Sequence, residues 1–333
     1  MGHDVVVYNS HNHPYKEKNW NGVSIVHCYD PEFRIGTAGQ FIYDLNCIID
    51  ARKRKFDIIL QLGYTSSSVW SFLFPASAKV ITNMDGLEWK RTKYGKLTQK
   101  FLRRAEALAV KGSHHLVADS IGIQNYLKQQ YGVNSDYIAY GANVFTGPNS
   151  SVINTFQVKP YEYDMLIARL EPENNIDVIL EGVAASKLRR KFLVIGNHST
   201  KYGDYLKQKY ANAKHIIFYG SLYDSVAVDN LRYFSNLYFH GHSVGGTNPS
   251  LLEAMASKAF IVAHKNDFNG MILGDDALYF TSASEVTVHI DSIEKLKAGI
   301  DKIEANYRKI STTFSWPTII QQYATMFEQV SGK

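Results

Sequence analysis

The feature that most constrains the fold is a rhythm: short β-branched runs alternate with longer amphipathic stretches, and the pattern is played twice. In the first pass Asp4–Tyr8, Val23–Cys28, Asp57–Leu62, Lys79–Thr82, His115–Ala118 and Tyr137–Tyr140 read as strands. Gln40–Arg54, Thr98–Lys111 and Gly122–Tyr131 read as helices between them. Residues 142–162 interrupt the alternation with Gly147, Pro148, Asn149, Ser150, Ser151 and Pro160. The rhythm then restarts. Asp164–Ala168, Lys191–Ile195, His215–Tyr219, Leu237–His240 and Phe260–Ala263 are the expected strands. Asn175–Ala185, Ser225–Ser235, Pro249–Ser257, Ile293–Arg308 and Thr318–Val330 are the expected helices. Strands alternating with helices predict mostly parallel sheets covered on both faces.

Length agrees with two such units, since 333 residues exceed what one core usually holds. The expected division is an N-terminal domain over 1–145, a linker over 146–162, a C-terminal domain over 163–312 and a closing helix over 313–333. The chain enters its first strand almost at once, after Met1-Gly2-His3. A doubly wound domain ordinarily begins with an earlier strand, a Gly-rich loop and a helix. The expectation is therefore that the first βα unit is missing, through truncation or a misplaced start; the other reading is a domain that simply begins here.

Charge is uneven. Residues 1–150 hold 17 Lys and Arg against 12 Asp and Glu, whereas residues 151–333 hold 19 of each. The basic excess suggests an anionic surface or ligand on the first half, and is too weak for nucleic acid. Cys28 and Cys47 show neither metal spacing nor a framework of pairs, so a reducing, cytoplasmic setting is expected. No apolar run approaches the roughly 20 residues that span a bilayer. Between 93 and 111, Lys93, Lys96, Lys100, Arg103, Arg104 and Lys111 fall on one helical side, and Leu97, Phe101, Ala105 and Leu108 on the other. The apolar side is expected to pack on the sheet. The basic side is either a solvated face or a peripheral contact with anionic lipid.

The chemistry concentrates in His240-Gly-His-Ser-Val-Gly-Gly-Thr-Asn-Pro-Ser-Leu-Leu-Glu-Ala-Met255, between a strand and a helix. Gly245 and Gly246 let the backbone approach a ligand. Asn248 is a plausible N-cap and Pro249 a first helical residue. The N–H groups there make an anion site, to which His242, Thr247 and Ser250 are near in sequence. Glu253, one turn in, can accept hydrogen bonds from sugar hydroxyls. Gly196-Asn197 and Gly220 end strands, as tight turns or as points where phosphate and base approach, with Tyr223 beside the base. The pairs His11/His13 and His240/His242 lack a third ligand, and there is no Asp-x-Asp element, so no metal is expected.

This segment resembles the donor motif of family 4 glycosyltransferases, whose fold is GT-B. That motif has two Glu eight positions apart. Glu253 matches the second, which in the family holds the nucleotide ribose, and the first would fall on Gly245. The departure is similar to a rhamnosyltransferase-like subgroup with the GGTNPSLLEAM form. Asp85–Arg91 (DGLEWKR), Ala118–Ser120, Ile138–Ala142 and Arg169–Asn175 also match that subgroup. The resemblance covers nearly the whole chain. It implies an α/β protein of two doubly wound Rossmann-like domains facing a cleft, with the C-terminal helix packing back toward the N-terminal domain.

The resemblance further implies a retaining, metal-independent hexosyltransferase with no cofactor beyond its nucleotide-sugar donor. The donor would be dTDP-L-rhamnose, and the acceptor a lipid-linked or oligosaccharide precursor of bacterial O-antigen or capsule. Arg169 would neutralise the diphosphate, with Asn174 or Asn175 where the family has a Lys. Asp85 would orient a hydroxyl or act as a base, with Glu88 and Arg91 on the acceptor side; the other reading of Asp85 is a turn residue before Gly86. Two alternatives stand beside this function: an inactive or binding-only fragment of such an enzyme, and a non-hydrolysing sugar-nucleotide epimerase.

Overall fold

The computed structural model describes residues 2–91 and 94–332. It divides into two compact units. One holds the residues up to Asp119, Ile123–Ile138 and the segment from Gln321 onward; the other holds Ser120–Gly122 and Ala139–Ile320.

The second unit is a single six-stranded parallel sheet. Its strands are β8 (Tyr163–Ile167), β9 (Lys191–Ile195), β10 (Ile216–Gly220), β11 (Tyr238–His240), β12 (Ile261–His264) and β13 (Leu278–Phe280), in the order β10-β9-β8-β11-β12-β13. Parallel strands covered on both faces need no polar alternation, and β8 and β9 are apolar and buried almost throughout. Phe239 stands at the centre of the core, with ring centroids 5.6 Å from Phe192 and 6.4 Å from Phe280. Leu166, Ile179, Leu180, Leu206, Val262 and Val286 close round it.

The first unit is built from two sheets. β1 (Val6–Ser10) pairs in parallel with β3 (Val23–Cys28), and β2 (Asn19–Trp20) adds an antiparallel edge. β4 (Ile58–Leu62), β5 (Lys79–Asn83), β6 (His115–Ala118) and β7 (Asp136–Tyr137) form a separate parallel sheet in that order. The helix Gly39–Ala51 ties to β1 and to the 3₁₀ turns Ser67–Leu73 that follow β4, since Tyr8 Oη donates to Asp50 and Trp70 Nε1 donates to the Phe41 carbonyl.

Several expectations need correction. The segment 146–162 is not a bare linker. Ser150–Phe156 forms 3₁₀ turns, Ile153 and Phe156 are buried, and the Asn149 N–H donates to Asn230 Oδ1 at 2.7 Å. The helix expected over Ile293–Arg308 is two, Lys295–Ala298 and Ile300–Thr312, divided at Gly299 against the Phe260 ring. Helices Lys201–Lys209, Asp267–Leu273 and Ala283–Ser292 and strand β13 lie where no regular element was expected.

The helix Lys96–Gly112 is rotated from its expected setting. Leu102, Ala105, Glu106 and Ala109 face inward, while Leu97 is 86% exposed and Phe101 and Leu108 are also exposed. The buried Glu106 decides this. Its carboxylate accepts from Trp89 Nε1, Tyr126 Oη, Tyr131 Oη and Tyr64 Oη at 2.7–3.3 Å. A desolvated carboxylate with four donors is far cheaper to keep inside than one with none, so Glu106 sets the inner face.

Candidate functional site

The second sheet begins at its middle with β8, grows to one side through β9 and β10, and then crosses to β11 on the other. The crevice between β8 and β11, at their carboxyl ends, is thus the topological switch point where open α/β sheets bind ligands. Two loops flank it, 168–175 after β8 and 241–248 after β11. They are stapled together. Asn175 Nδ2 donates to the Gly241 carbonyl at 2.8 Å, and Ser243 donates through its N–H and Oγ to the Glu173 carbonyl. Asn174 Nδ2 reaches the Arg169 carbonyl at 2.7 Å. The two Asn that stand where a second cation was looked for are therefore loop fasteners. Gly241 is required by the same closeness, because a Cβ there would lie 2.0 Å from the Asn174 carbonyl oxygen.

The loop after β11 leads into the helix Pro249–Ala256. Asn248 Oδ1 accepts from the Ser250 N–H at 2.9 Å, and Pro249 opens the first turn. Thr247 is buried. Gly245 has φ +131°, a conformation L side chains rarely adopt, and open space lies where its Cβ would be. A Glu at this φ would be strained. His240 is buried and stacks on His242 with centroids 4.4 Å apart. Burial first, then the neighbouring His242 and Arg232, push the His240 pKa well below the usual imidazole range. It is neutral at pH 7 and brings no positive charge to the site. The His242 carbonyl is held by Asn266 Nδ2 and Asn269 Nδ2.

Glu253 projects from the second turn with its side chain 52% exposed. One oxygen, Oε2, is held at 2.8 Å by Nη2 of Arg232. Arg232 is buried in the helix Ser225–Phe234, and its Nη2 also reaches Ser250 Oγ at 3.2 Å. Asp229 Oδ1 lies 3.5 Å from Nη1 and accepts from Ser257 Oγ. Burial raises the Asp229 pKa, with the Ser257 hydrogen bond and the Arg232 charge opposing. Sequence reasoning missed both residues. The available signal was an Asp–Arg pair at i,i+3 in a helix that otherwise turns Ala227, Leu231 and Phe234 inward.

The other expected donor residues sit on neighbouring loops of the same sheet edge. Arg169 is exposed after β8 and makes no ion pair among the described residues. Gly196 ends β9, and its N–H donates to the Gly220 carbonyl at 2.8 Å. A Cβ at 196 would lie 2.0 Å from the Ala168 carbonyl oxygen, so this glycine serves strand packing first. Asn197 turns its loop by accepting from the Ser199 N–H. Tyr223, after β10, is 92% exposed. The candidates Asp85, Glu88 and Arg91 belong to the first unit, after β5. Asp85 is exposed, and Arg91 Nε donates to Glu88 Oε1 at 2.7 Å, so the expected acceptor-side pair is bound to itself.

Comparison with known proteins agrees with this geometry. Residues 158–313 match the family described as Glycosyl transferases group 1, and residues 5–143 match Domain of unknown function (DUF1972). A search of curated proteins finds no match. Among solved structures, the chain is similar to Anabaena Alr3699/HepE in complex with UDP and glucose, with 18% identity and a TM-score of 0.74 over 92% of this chain and 87% of that one. It is similar to sucrose-phosphate synthase from Thermosynechococcus elongatus, with 14% identity and a TM-score of 0.81 over 99% and 90%. A glycosyltransferase from Rickettsia africae aligns at 15% identity with a TM-score of 0.67 over 92% and 85%. The fold is the two-domain α/β GT-B fold, and its second unit carries a glycosyl transferases group 1 domain.

Proposed function

We propose that this chain transfers a sugar from a nucleoside diphosphate donor, specifically rhamnose from dTDP-L-rhamnose, onto a growing lipid-linked glycan of a bacterial surface polysaccharide. The observation that carries the reading is the convergence at the carboxyl ends of β8 and β11. There the exposed Arg169 guanidinium, with no ion pair among the described residues, the open Gly245 backbone, an Asn-capped helix start and the Glu253 carboxylate share one sheet edge.

Each part meets one part of the donor. Arg169 offers a planar fork to diphosphate oxygens. The capped helix start adds N–H groups and the positive end of its dipole, worth roughly 0.3–1 kcal/mol for an exposed anion. Both matter most when the sugar–phosphate bond breaks and charge collects on the leaving diphosphate. Glu253 receives the ribose hydroxyl, and Gly196, Asn197, Gly220, Tyr223, His242 and Thr247 line the approach. Asp85 orients a hydroxyl or takes the acceptor proton. Retention at the anomeric carbon, and operation without a metal, follow from the family resemblance of the motif. HepE was crystallised with UDP-glucose, which supports a nucleotide-sugar as the class of donor.

The lipid-linked acceptor rests on the helix Lys96–Gly112. Lys96, Lys100, Arg103 and Arg104 are exposed beside the exposed Leu97, Phe101 and Leu108, so basic and apolar groups stand together on its outer side. That is the composition of a surface that docks on anionic lipid; Lys93 lies outside the described residues. No helix among the described residues is long and apolar enough to cross a membrane, and the reading places the enzyme at the cytoplasmic face.

The test is transfer from radiolabelled dTDP-L-rhamnose, UDP-glucose and UDP-galactose to polyprenyl-diphosphate-linked saccharides. Transfer from dTDP-L-rhamnose that Glu253→Ala reduces by about 100-fold is the expected result. Turnover of UDP-sugars alone would replace the donor, and no transfer from any donor to any acceptor would remove the reading.

A further inference from the structure

The donor carboxylate does not stand by itself. A buried ion pair contributes less stability than its geometry suggests, because both partners lose hydration. Arg232 is 2% exposed, while its partner Glu253 is half in solvent. An apolar side chain of similar volume would fill the Arg232 position with no desolvation cost, so packing does not explain the residue. What the guanidinium does explain is the setting of the helix start. Its Nη2 bonds Glu253 Oε2 at 2.8 Å and Ser250 Oγ at 3.2 Å. The Ser250 N–H is the donor that Asn248 caps, and Ser250 Oγ also lies 3.1 Å from Tyr238 Oη. Arg232 is itself held from the other side by Asp229, and its Cζ lies 5.8 Å from the centroid of the Tyr238 ring. The carboxylate and the anion-binding turn are therefore joined through one buried side chain.

We infer that Arg232 is a positioning residue of the donor site, which fixes Glu253 by one carboxylate oxygen and leaves the other, Oε1, as the acceptor for a ribose hydroxyl. No hydrogen bond to Oε1 is formed among the described residues, which is the state such an acceptor needs. The inference rests on the reading of Glu253 as the ribose ligand and adds what orients it. An unanchored Glu at an exposed helix position samples several rotamers, and holding it in one lowers the entropy lost when the nucleotide binds.

The experiment compares binding of dTDP and of 3′-deoxy-dTDP, which lacks the ribose hydroxyl, by isothermal titration to the full chain. Wild type should prefer dTDP by about tenfold, the scale of one hydrogen bond to a charged acceptor. Glu253→Ala should erase that preference. Arg232→Met should reduce it to about twofold, because dTDP loses more affinity than 3′-deoxy-dTDP, which loses only what the helix start contributes through Ser250. A residue that merely holds the fold would weaken both nucleotides equally and keep their ratio. Arg232→Lys keeps the buried charge but not the fork, and covers the case in which the Met variant does not fold; it should reduce the preference to about threefold. If Glu253→Ala loses the preference and either foldable Arg232 variant keeps it, the inference fails and the ribose reading stands. If wild type shows no preference, or Glu253→Ala retains it, the ribose reading fails and the inference with it.

Discussion

The two units spend similar strand sequences on different burial. In the second, β8 and β9 carry YDMLI and KFLVI and are buried nearly end to end within one continuous sheet. In the first, β1 and β4 carry the equally apolar VVYNS and IILQL, yet both are only half covered. The difference lies in the neighbours. β1 pairs only with β3 and β4 only with β5, so each is the edge of its own sheet, and Val7 and Leu62 remain exposed. A doubly wound sheet would set the order 3-2-1-4-5-6, and the observed β3-β1 and β4-β5-β6 match its two flanks. The comparison teaches that strand hydrophobicity reports a demand for cover, and that the sheet around the strand decides whether the demand is met.

The sharpest way to break this comparison is at the core of the complete sheet. Phe239→Ala removes a fully buried ring that touches Phe192 and Phe280 and should destabilise the second unit by about 3–5 kcal/mol. Urea unfolding with a probe in each unit measures it. A loss below about 1 kcal/mol would mean that this core is looser than its burial implies.

The first unit should fail at a polar point instead. Glu106→Gln keeps the shape but replaces one acceptor oxygen by an NH₂, which then faces either Trp89 and Tyr64 or Tyr126 and Tyr131. One buried donor is left unsatisfied, at a cost of about 1–3 kcal/mol. The same burial and the same Glu106 hydrogen bond hold the Tyr126 pKa up to about 12, so tyrosinate absorbance should appear at lower pH in the variant. An unchanged titration and unchanged unfolding would show that the carboxylate does not organise this region.

Much of the second unit was legible because its strands are short, apolar and bounded by polar residues. Lys191–Ile195 falls where the sequence placed it, and Asn248-Pro249 announces its helix. What escaped has local causes. Ala283–Ser292 opens with a Ser282–Glu285 capping box, which is readable, but Thr287, His289 and Asp291 dilute its apolar period. Lys201–Lys209 holds one fully buried leucine, Leu206, and rests on its Thr200 cap. At the candidate site, Glu253 was visible through its motif, whereas Arg232 was a lone Arg whose partner lies 21 residues on. In the first unit, hydrophobic spacing could not show that Glu106, rather than Leu97 and Phe101, faces inward, because the four donors come from three separate segments.

A smaller effect concerns pH in the second unit. Lys295 is buried, donates to the Tyr233 carbonyl, and has its pKa lowered by burial to about 7 from 10.5. The folded value lies below the unfolded one. Between pH 7 and 10.5 the unfolded chain therefore binds the extra proton, and stability rises with pH across that window. Below about pH 7 both states hold the proton and the penalty is constant. Lys295→Met should remove this contribution, so the Tm difference between variant and wild type should shrink by several degrees from pH 7 to pH 10. A constant difference would mean that Lys295 stays protonated inside.

The smallest expected effect is the most direct probe of the opening comparison. Leu62 ends β4 and is 77% exposed, although its position and chemistry are those of a residue made for a core. Truncating a leucine in the interior of β8 or β9 would leave a cavity and cost about 2–5 kcal/mol. Leu62→Ala deletes the same atoms from a place where water already meets most of them, so the cost should stay within about 0.5 kcal/mol. Leu166→Ala in β8, fully buried, supplies the matched control in the same unfolding experiment. Equal losses at Leu62 and Leu166 would show that β4 is covered in solution by something that pairs with its free edge. Unequal losses would show that the free edge of β4 carries little of the first unit's core, which lies instead around Ile81, Leu102, Val117 and Leu127.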